Sequence, residues 1–169
     1  HPERNSLESL VEDHRIAFGP DENKVPQQKR FLHEVETNGC KSVFNDYADG
    51  EKELANLFGR KGIFLAPKHT NFVSRFIRQV ADPGHVVLDC FGGSGSTAHA
   101  VIRTSREHDQ DLQFVLVEVN TYFDTVLRPR VLKALYASEW KEGKPRTTDG
   151  RSACVKVIRI ESYEDALNN

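Results

Sequence analysis

Two acidic residues and a run of glycines could perform chemistry in this chain of 169 residues. Asp89 follows the apolar residues 86–88, and residues 91–97 read Phe-Gly-Gly-Ser-Gly-Ser-Thr. Glycines allow a tight turn whose backbone N–H groups approach a ligand closely, and the N-terminus of a following helix favours an anionic group. Glu118 ends a second apolar run about twenty residues beyond the turn, where a carboxylate can accept both ribose hydroxyl hydrogens. The pattern predicts a site for a ligand with a charged tail.

The glycine pattern alone fits either a dinucleotide or S-adenosylmethionine. A pyrophosphate carries two negative charges that Asp89 beside the turn would repel, whereas S-adenosylmethionine brings an ammonium and a sulfonium there. The acid therefore favours S-adenosylmethionine, with the N–H groups of Ser96 and Thr97 as a site for its carboxylate. No lysine follows the glycines, so a phosphate-gripping P-loop is not expected. A glycine turn with a purely structural role is the alternative.

Helices and strands that alternate along the chain must position these residues. Periodicity predicts four helices, over 51–58 with Gly59 as its stop, from Thr70 as cap to 80, from near Ser96 to 106, and over 122–136. Pro129 either kinks the last helix or begins a new first turn. Apolar runs predict strands over 86–88, 113–117 and 153–160, the first of them buried on both faces. This order is typical of an α/β fold with a parallel sheet.

Composition narrows the class of protein. With 38% hydrophobic and 28% charged residues the chain is expected to be soluble, and it contains neither a membrane-spanning apolar run nor a secretory signal. A net charge of −2 argues against wholesale coating of nucleic acid. Cys40, Cys90 and Cys154 suit neither a metal site nor a disulfide framework. Cys90 and Cys154 are expected to be reduced core thiols, which indicates a cytoplasmic location.

The glycine run and its flanks carry a family likeness. Residues 87–97 resemble the S-adenosylmethionine motif of amino-DNA methyltransferases, in particular the β-class enzymes that methylate adenine at N6. Residues 67–69, 114–118, 122–124 and 139–145, with Arg130, resemble the modification subunit of type III restriction–modification systems. The resemblance covers the chain from about residue 15. It implies a Rossmann-like methyltransferase fold, S-adenosylmethionine as cofactor, and double-stranded DNA as partner of the full-length enzyme. A restriction subunit or a second copy is a further partner that it implies, and no membrane partner is expected.

The chain departs from this family at three points. His69 stands where the family has a proline after its lysine, and Ser96-Thr97 stands for a Thr-Thr pair. The family's catalytic Pro-Pro-aromatic motif is missing, since no Pro-Pro occurs in the sequence. In the β class that motif precedes the cofactor motif, so the chain resembles a C-terminal portion of the enzyme. We therefore expect an irregular N-terminal segment, 1–60, and a partial cofactor-binding domain, 61–169, whose sheet is incomplete and exposes an apolar edge.

The sequence thus predicts the S-adenosylmethionine-binding portion of a DNA (adenine-N6) methyltransferase that is inactive alone. Two alternatives stay open, an NAD(P)-binding Rossmann fragment of an oxidoreductase and a non-catalytic assembly module. No catalytic residue is assigned within this chain. The predicted cofactor-binding residues lie in the glycine run, at the ends of the two strands and before the second helix: His69, Thr70, Asn71, Asp89, Phe91, Gly92, Gly93, Ser94, Gly95, Ser96, Thr97, Glu118 and Asn120.

Overall fold

A computed structural model of the chain describes residues 7–34, 43–44 and 49–161. The chain divides into two compact units at Phe44 and Asn45. The first contains helix α1 (Leu7–Glu12), an antiparallel pair of short strands β1 (Ile16–Ala17) and β2 (Gln27–Gln28), and a 3₁₀ turn at Leu32–Glu34. The predicted division at residue 60 stays a prediction.

The second unit carries the predicted site and is built around one parallel strand pair. Its helices are α2 (Gly50–Phe58), α3 (Thr70–Val80), α4 (Ser96–His108) and α5 (Arg128–Tyr136), and its parallel strands are β3 (Val86–Asp89) and β4 (Gln113–Leu116). A short antiparallel hairpin, β5 (Trp140–Lys141) and β6 (Lys144–Pro145), follows α5. The prediction of an α/β fold with parallel strands is confirmed in this coarse form.

Helix α4 lies at the centre of the core because two of its faces are lined by small or apolar residues. Ala98 and Ile102 pack against Val131 and Ala134 of α5. Other α4 residues, Ala100 and Val101, pack against Ile77 of α3 together with Leu112. The partly buried strand residues Val87, Phe114 and Leu116 complete these clusters. All three helices therefore cover the same face of the strand pair.

The opposite face of the strand pair is open. Val86 and Leu88 of β3 are 54% and 62% exposed, and Val115 of β4 is 48% exposed. The prediction that β3 is buried on both faces is therefore wrong. Residues alternate along a strand between its two faces, and the helices of this unit pack on only one of them.

The predicted third strand over 153–160 is also wrong, since these residues form no strand. The backbone N–H of Arg151 donates to Leu135 O, and the Arg159 guanidinium binds Asp124, so both ends of this segment are tied to the α5 side of the unit. A strand exists only where its backbone pairs with a neighbouring strand, and the described strands pair only with one another. Its alternating valines stay exposed.

The cysteines differ from expectation too. Cys90 and Cys154 are free but exposed, so they are not core thiols. Cys90 follows the last residue of β3, and Cys154 lies in the exposed segment after Arg151. Cys40 lies outside the described residues.

Pro129 begins a new first turn. Residues Phe123–Leu127 form a π-helical turn in which the N–H of Arg128 donates to Phe123 O, and α5 starts at Arg128 with Pro129 in its first turn. Proline has no N–H to donate and fits this position. Helix α5 packs against α4 through Val131 and Ala134.

Candidate functional site

The glycine loop, residues 91–97, is held at the carboxyl end of β3 by backbone bonds. Gly92 N–H donates to Val117 O over 2.9 Å, and Gly95 N–H donates to Gly92 O over 2.7 Å. Gly93 and Gly95 have φ of 51° and 78°, a region that glycine adopts readily and other residues rarely do. A Cβ at Gly92 would lie 2.7 Å from Leu127 Cδ1, so a side chain there would require the Leu127 side chain to move.

Glu118 binds the glycine loop from the end of β4. Its Oε2 accepts from Gly93 N–H over 2.7 Å, and its Oε1 accepts from the N–H groups of Val119 and Asn120 over 2.9 and 2.8 Å. An ionised carboxylate offers about four acceptor positions, so roughly one remains. The structure therefore leaves Glu118 room for one hydroxyl hydrogen, and accepting two requires one backbone N–H to give way.

Asp89 binds the other side of the same loop. Its Oδ1 accepts from Phe91 N–H over 3.0 Å, and its Oδ2 accepts from the Thr97 hydroxyl over 2.6 Å. The Phe91 ring is 89% exposed. Asp89 and Glu118 thus both retain acceptor positions beside a loop that they hold from two sides.

Helix α4 begins directly after the loop, with Gly95 as its N-cap and no side-chain hydrogen bond at the cap. The first N–H groups of any helix lack intrahelical acceptors, and the helix dipole makes this end favourable for an anion. Ser96 and Thr97 supply two of these N–H groups. The start of α4 therefore presents donors beside two carboxylates, an arrangement that suits a ligand with both an anionic and a cationic group.

The lysine segment, residues 68–71, leads into α3 and includes the first two residues of that helix. Ser96 Oγ donates to Lys68 O over 2.8 Å, which joins this segment to the glycine loop directly. His69, and not Thr70 as predicted, caps α3, because its Nδ1 accepts from Asn71 N–H over 3.0 Å. The predicted cap was wrong because an imidazole nitrogen can accept as a hydroxyl does.

The predicted residues of the lysine segment differ in their exposure. Thr70 is buried and donates its N–H to Glu53 Oε2 over 3.0 Å, so its side chain faces the core. Asn71 is exposed, and its Oδ1 accepts from Arg103 of α4. The structure therefore brings this segment to the glycine loop through Lys68 and Ser96, while Thr70 reaches the loop only through other residues.

Arg130 of α5 was missed by the sequence analysis as part of the site. It is completely buried, and its guanidinium bonds Ser94 and Ser96 of the glycine loop, Thr70 of the lysine segment, Glu53 of α2 and His99 of α4. Helical spacing could have indicated its burial, because Leu127 and Ala134 lie three residues before it and four residues after it on the apolar face of the same helical stretch.

Burial and neighbouring charges shift the pKa values of two groups around Arg130. Burial, and then the nearby Arg130 charge, holds the pKa of His99 well below its ordinary value, so its Nδ1 is free to accept from Arg130 Nε over 3.3 Å. Burial also lowers the pKa of Arg130, against which Glu53 acts by charge and by a 2.8 Å hydrogen bond. The ion pair lies inside the protein, with the carboxylate side chain only 15% exposed.

No group of three or more His, Cys, Asp or Glu residues able to hold a metal ion occurs in residues 7–34, 43–44 and 49–161. None of the helices found there combines the length and apolar character that crossing a bilayer would need.

Comparison with known proteins assigns the family. The model of the DNA methylase family of N6 and N4 methyltransferases matches residues 12–128, which include the glycine loop, Asp89 and Glu118. The Mod subunit of the type III restriction-modification enzyme StyLTI from Salmonella typhimurium is 33% identical over 118 residues, 68% of this chain and 18% of that protein. The EcoP15I Mod subunit from Escherichia coli is 28% identical over 117 residues, 69% of this chain and 18% of its own length.

A type II methyltransferase, M1.MboII from Moraxella bovis, is 31% identical over 84 residues, half of this chain and 32% of its own length. The chain thus spans about a fifth of the length of the two Mod subunits. Methyltransferases of this family generally use S-adenosylmethionine as methyl donor. The chain belongs to the DNA methylase family.

Proposed function

We propose that this chain is the S-adenosylmethionine-binding portion of a DNA (adenine-N6) methyltransferase of a restriction–modification system, with a Rossmann-like fold. The observation that carries the proposal is the placement of Asp89 and Glu118 at the ends of neighbouring parallel strands, on two sides of the glycine loop that opens α4. Ligands of open α/β sheets bind at the carboxyl ends of the strands.

The residues present fit the cofactor. Asp89 would hold the cationic amino group of the methionine tail, the first N–H groups of α4 would hold its carboxylate, and Glu118 would accept a hydrogen from the ribose. The left-handed backbone at Gly93 favours glycine at this turn of the loop. When bound, the cofactor supplies an electrophilic methyl group on a sulfonium. The residues of this chain bind and orient that group.

The charges disfavour the dinucleotide alternative. Asp89 would lie beside a pyrophosphate and repel it, whereas it attracts an ammonium, and Glu118 does not separate the two ligands because both carry a ribose. If the chain is an assembly module, Glu118 only holds the glycine loop in place and binds no cofactor. Cofactor binding separates all three functions.

We infer that the residues that bind the methyl-accepting adenine come from polypeptide outside this sequence, since the chain has no Pro-Pro and spans about a fifth of the Mod subunits. The open face at Val86, Leu88 and Val115 is where that polypeptide or a second copy would cover the sheet. In the full-length enzyme we expect double-stranded DNA as substrate and a restriction subunit as partner. Size-exclusion chromatography tests self-association. A chain that stays soluble and elutes as a monodisperse monomer would argue against a second copy as the partner that covers this face.

Calorimetric titration with S-adenosylmethionine tests the proposal. We expect one site per chain, weaker binding by the Asp89→Asn and Glu118→Gln variants, and unchanged binding by Glu107→Gln, whose carboxylate pairs with Arg103 at the far end of α4. Reduced nicotinamide dinucleotide serves as the competing ligand. Tighter binding of the dinucleotide than of S-adenosylmethionine would contradict the proposal, as would the absence of S-adenosylmethionine binding by the folded chain.

A further inference from the structure

Arg130 uses every N–H of its guanidinium inside the protein. Nη1 donates to Ser94 Oγ and Ser96 Oγ over 3.1 and 2.9 Å, while Nη2 donates to Glu53 Oε2 and Thr70 Oγ1 over 2.8 and 3.2 Å. Nε donates to His99 Nδ1 over 3.3 Å. A guanidinium has five N–H donors in one plane, so these five contacts satisfy it fully.

The three nitrogens serve three different parts of the unit. Nη1 faces the glycine loop, Nη2 faces α2 and the lysine segment, and Nε faces the first turns of α4. Because the guanidinium is planar and rigid, the distance between the glycine loop and the lysine segment is fixed by the group that lies between them.

Glu53 extends this connection. Its Oε2 accepts both from Arg130 and from the N–H of Thr70, the residue that follows the α3 cap. The Ser96 hydroxyl, which accepts from Arg130, donates in turn to Lys68 O. The lysine segment is therefore joined to the glycine loop at two points, and Arg130 takes part in both.

A lysine at position 130 would keep the charge and lose the geometry. Its single ammonium nitrogen carries three N–H donors at one point, whereas the five acceptors around Arg130 lie along three edges of a plane. Packing alone would demand an apolar residue here, since the neighbours Val131 and Ala134 are buried among apolar side chains. A buried ion pair by itself is a weak source of stability. The contacts are better explained by a role in holding two loops in register.

We propose that Arg130, paired with Glu53, is a positioning residue that assembles the cofactor site from the glycine loop and the lysine segment. This inference rests on the proposed function. It does not touch the ligand, because it is completely buried. It sets where Ser96 and the first N–H groups of α4 lie relative to Lys68 and His69.

The test compares Arg130→Lys with a matched control, Val131→Ala, which removes buried side-chain atoms from the next position of α5 without touching either loop. Two quantities are measured on each folded protein: hydrogen–deuterium exchange of peptides that cover 68–72 and 92–97, and the dissociation constant for S-adenosylmethionine. We expect Arg130→Lys to accelerate exchange in both peptides together by about tenfold or more and to weaken binding by about tenfold or more. Val131→Ala should change neither beyond its effect on global unfolding.

The exchange measurement needs no ligand, so it separates the two proposals. If the wild-type chain binds no S-adenosylmethionine, the proposed function fails, and the exchange comparison still decides the role of Arg130. If exchange in the two peptides is the same for Arg130→Lys as for Val131→Ala, Arg130 is only a core residue and the inference is overturned. Should Arg130→Lys not fold, Glu53→Gln keeps the shape of the partner and is expected to loosen the same two peptides. Unchanged exchange in that variant would overturn the inference equally.

Discussion

Replacing Glu118 by glutamine is the most informative single change at this site. The glutamine carbonyl can still accept from the N–H groups of Val119 and Asn120, but its amide nitrogen would then face the N–H of Gly93, donor against donor. The variant therefore loses the bond that joins the end of β4 to the glycine loop. It also loses the negative charge beside the first turn of α4.

The magnitude follows from the number and exposure of these bonds. A hydrogen bond to a charged group contributes about 1.5–3 kcal/mol net, and only the Gly93 bond is lost outright. Glu118 is half-buried, so water replaces part of the loss, and we expect the free energy of unfolding to fall by about 2 kcal/mol. Because Glu118 also has an acceptor position for the ligand, affinity for S-adenosylmethionine should fall by about thirtyfold, which corresponds to roughly 2 kcal/mol.

Urea denaturation and calorimetric titration measure the two quantities on the same preparation. Glu107→Gln is the control, because its pair with Arg103 is exposed and such pairs contribute about 0.3–0.5 kcal/mol on a helix. A Glu118→Gln protein that stays within about 0.5 kcal/mol of wild type and binds equally well would refute the reasoning. Loss of stability with unchanged affinity would leave Glu118 as a loop anchor and would remove it from the ligand contacts.

Three further predictions concern pH, backbone conformation and chemical access. The pKa of His99 is depressed in the folded chain, so as the pH falls the unfolded chain binds a proton before the folded chain does. The contribution of His99 to the free energy of unfolding is therefore complete above about pH 6.5. Below that pH the free energy of unfolding should fall by up to about 1.4 kcal/mol per pH unit. His99→Asn, whose oxygen can still accept from Arg130, should lack that part of the slope in urea titrations between about pH 6.5 and 5, and an unaltered slope would contradict the assignment. Gly93→Ala and Gly62→Ala both place alanine at a positive φ, so each should lower the free energy of unfolding by about 1 kcal/mol. Only the alanine at position 93 contacts a neighbour, Phe64. Only that variant should weaken S-adenosylmethionine binding. Exposed Cys90 should react with iodoacetamide more slowly when S-adenosylmethionine is present, while a Cys90 rate that the cofactor leaves unchanged would place the ligand elsewhere.

Local patterns predicted the elements whose ends are fixed by nearby residues. Helix α2 ends where Gly59 takes a left-handed conformation with φ 78°, as expected from a glycine stop. Strand β3, predicted over 86–88, and β4, predicted over 113–117, each lie within one residue of their observed bounds. The glycine loop lies between β3 and α4, as its composition indicates.

The errors arose where a pattern depends on a distant partner. The alternation in 153–160 indicates a face suited to pairing, but it does not say which sheet edge is free to pair. The apolar run of β3 fits burial on both faces, and only the packing of α3, α4 and α5 on one side decides that Val86 and Leu88 are exposed. Arg130 was missed because its acceptors come from four separate segments, and no local pattern in the sequence shows that these segments meet.

Nuclear magnetic resonance titration of the isotopically labelled chain with S-adenosylmethionine tests the central claim most directly. The account predicts that the amide resonances of Gly93, Ser96 and Thr97 shift together with those that follow Glu118, and that the Asp89→Asn variant needs about tenfold more ligand for the same shifts. Shifts confined to other parts of the chain, or none at saturating concentration while the spectrum shows a folded protein, would contradict it.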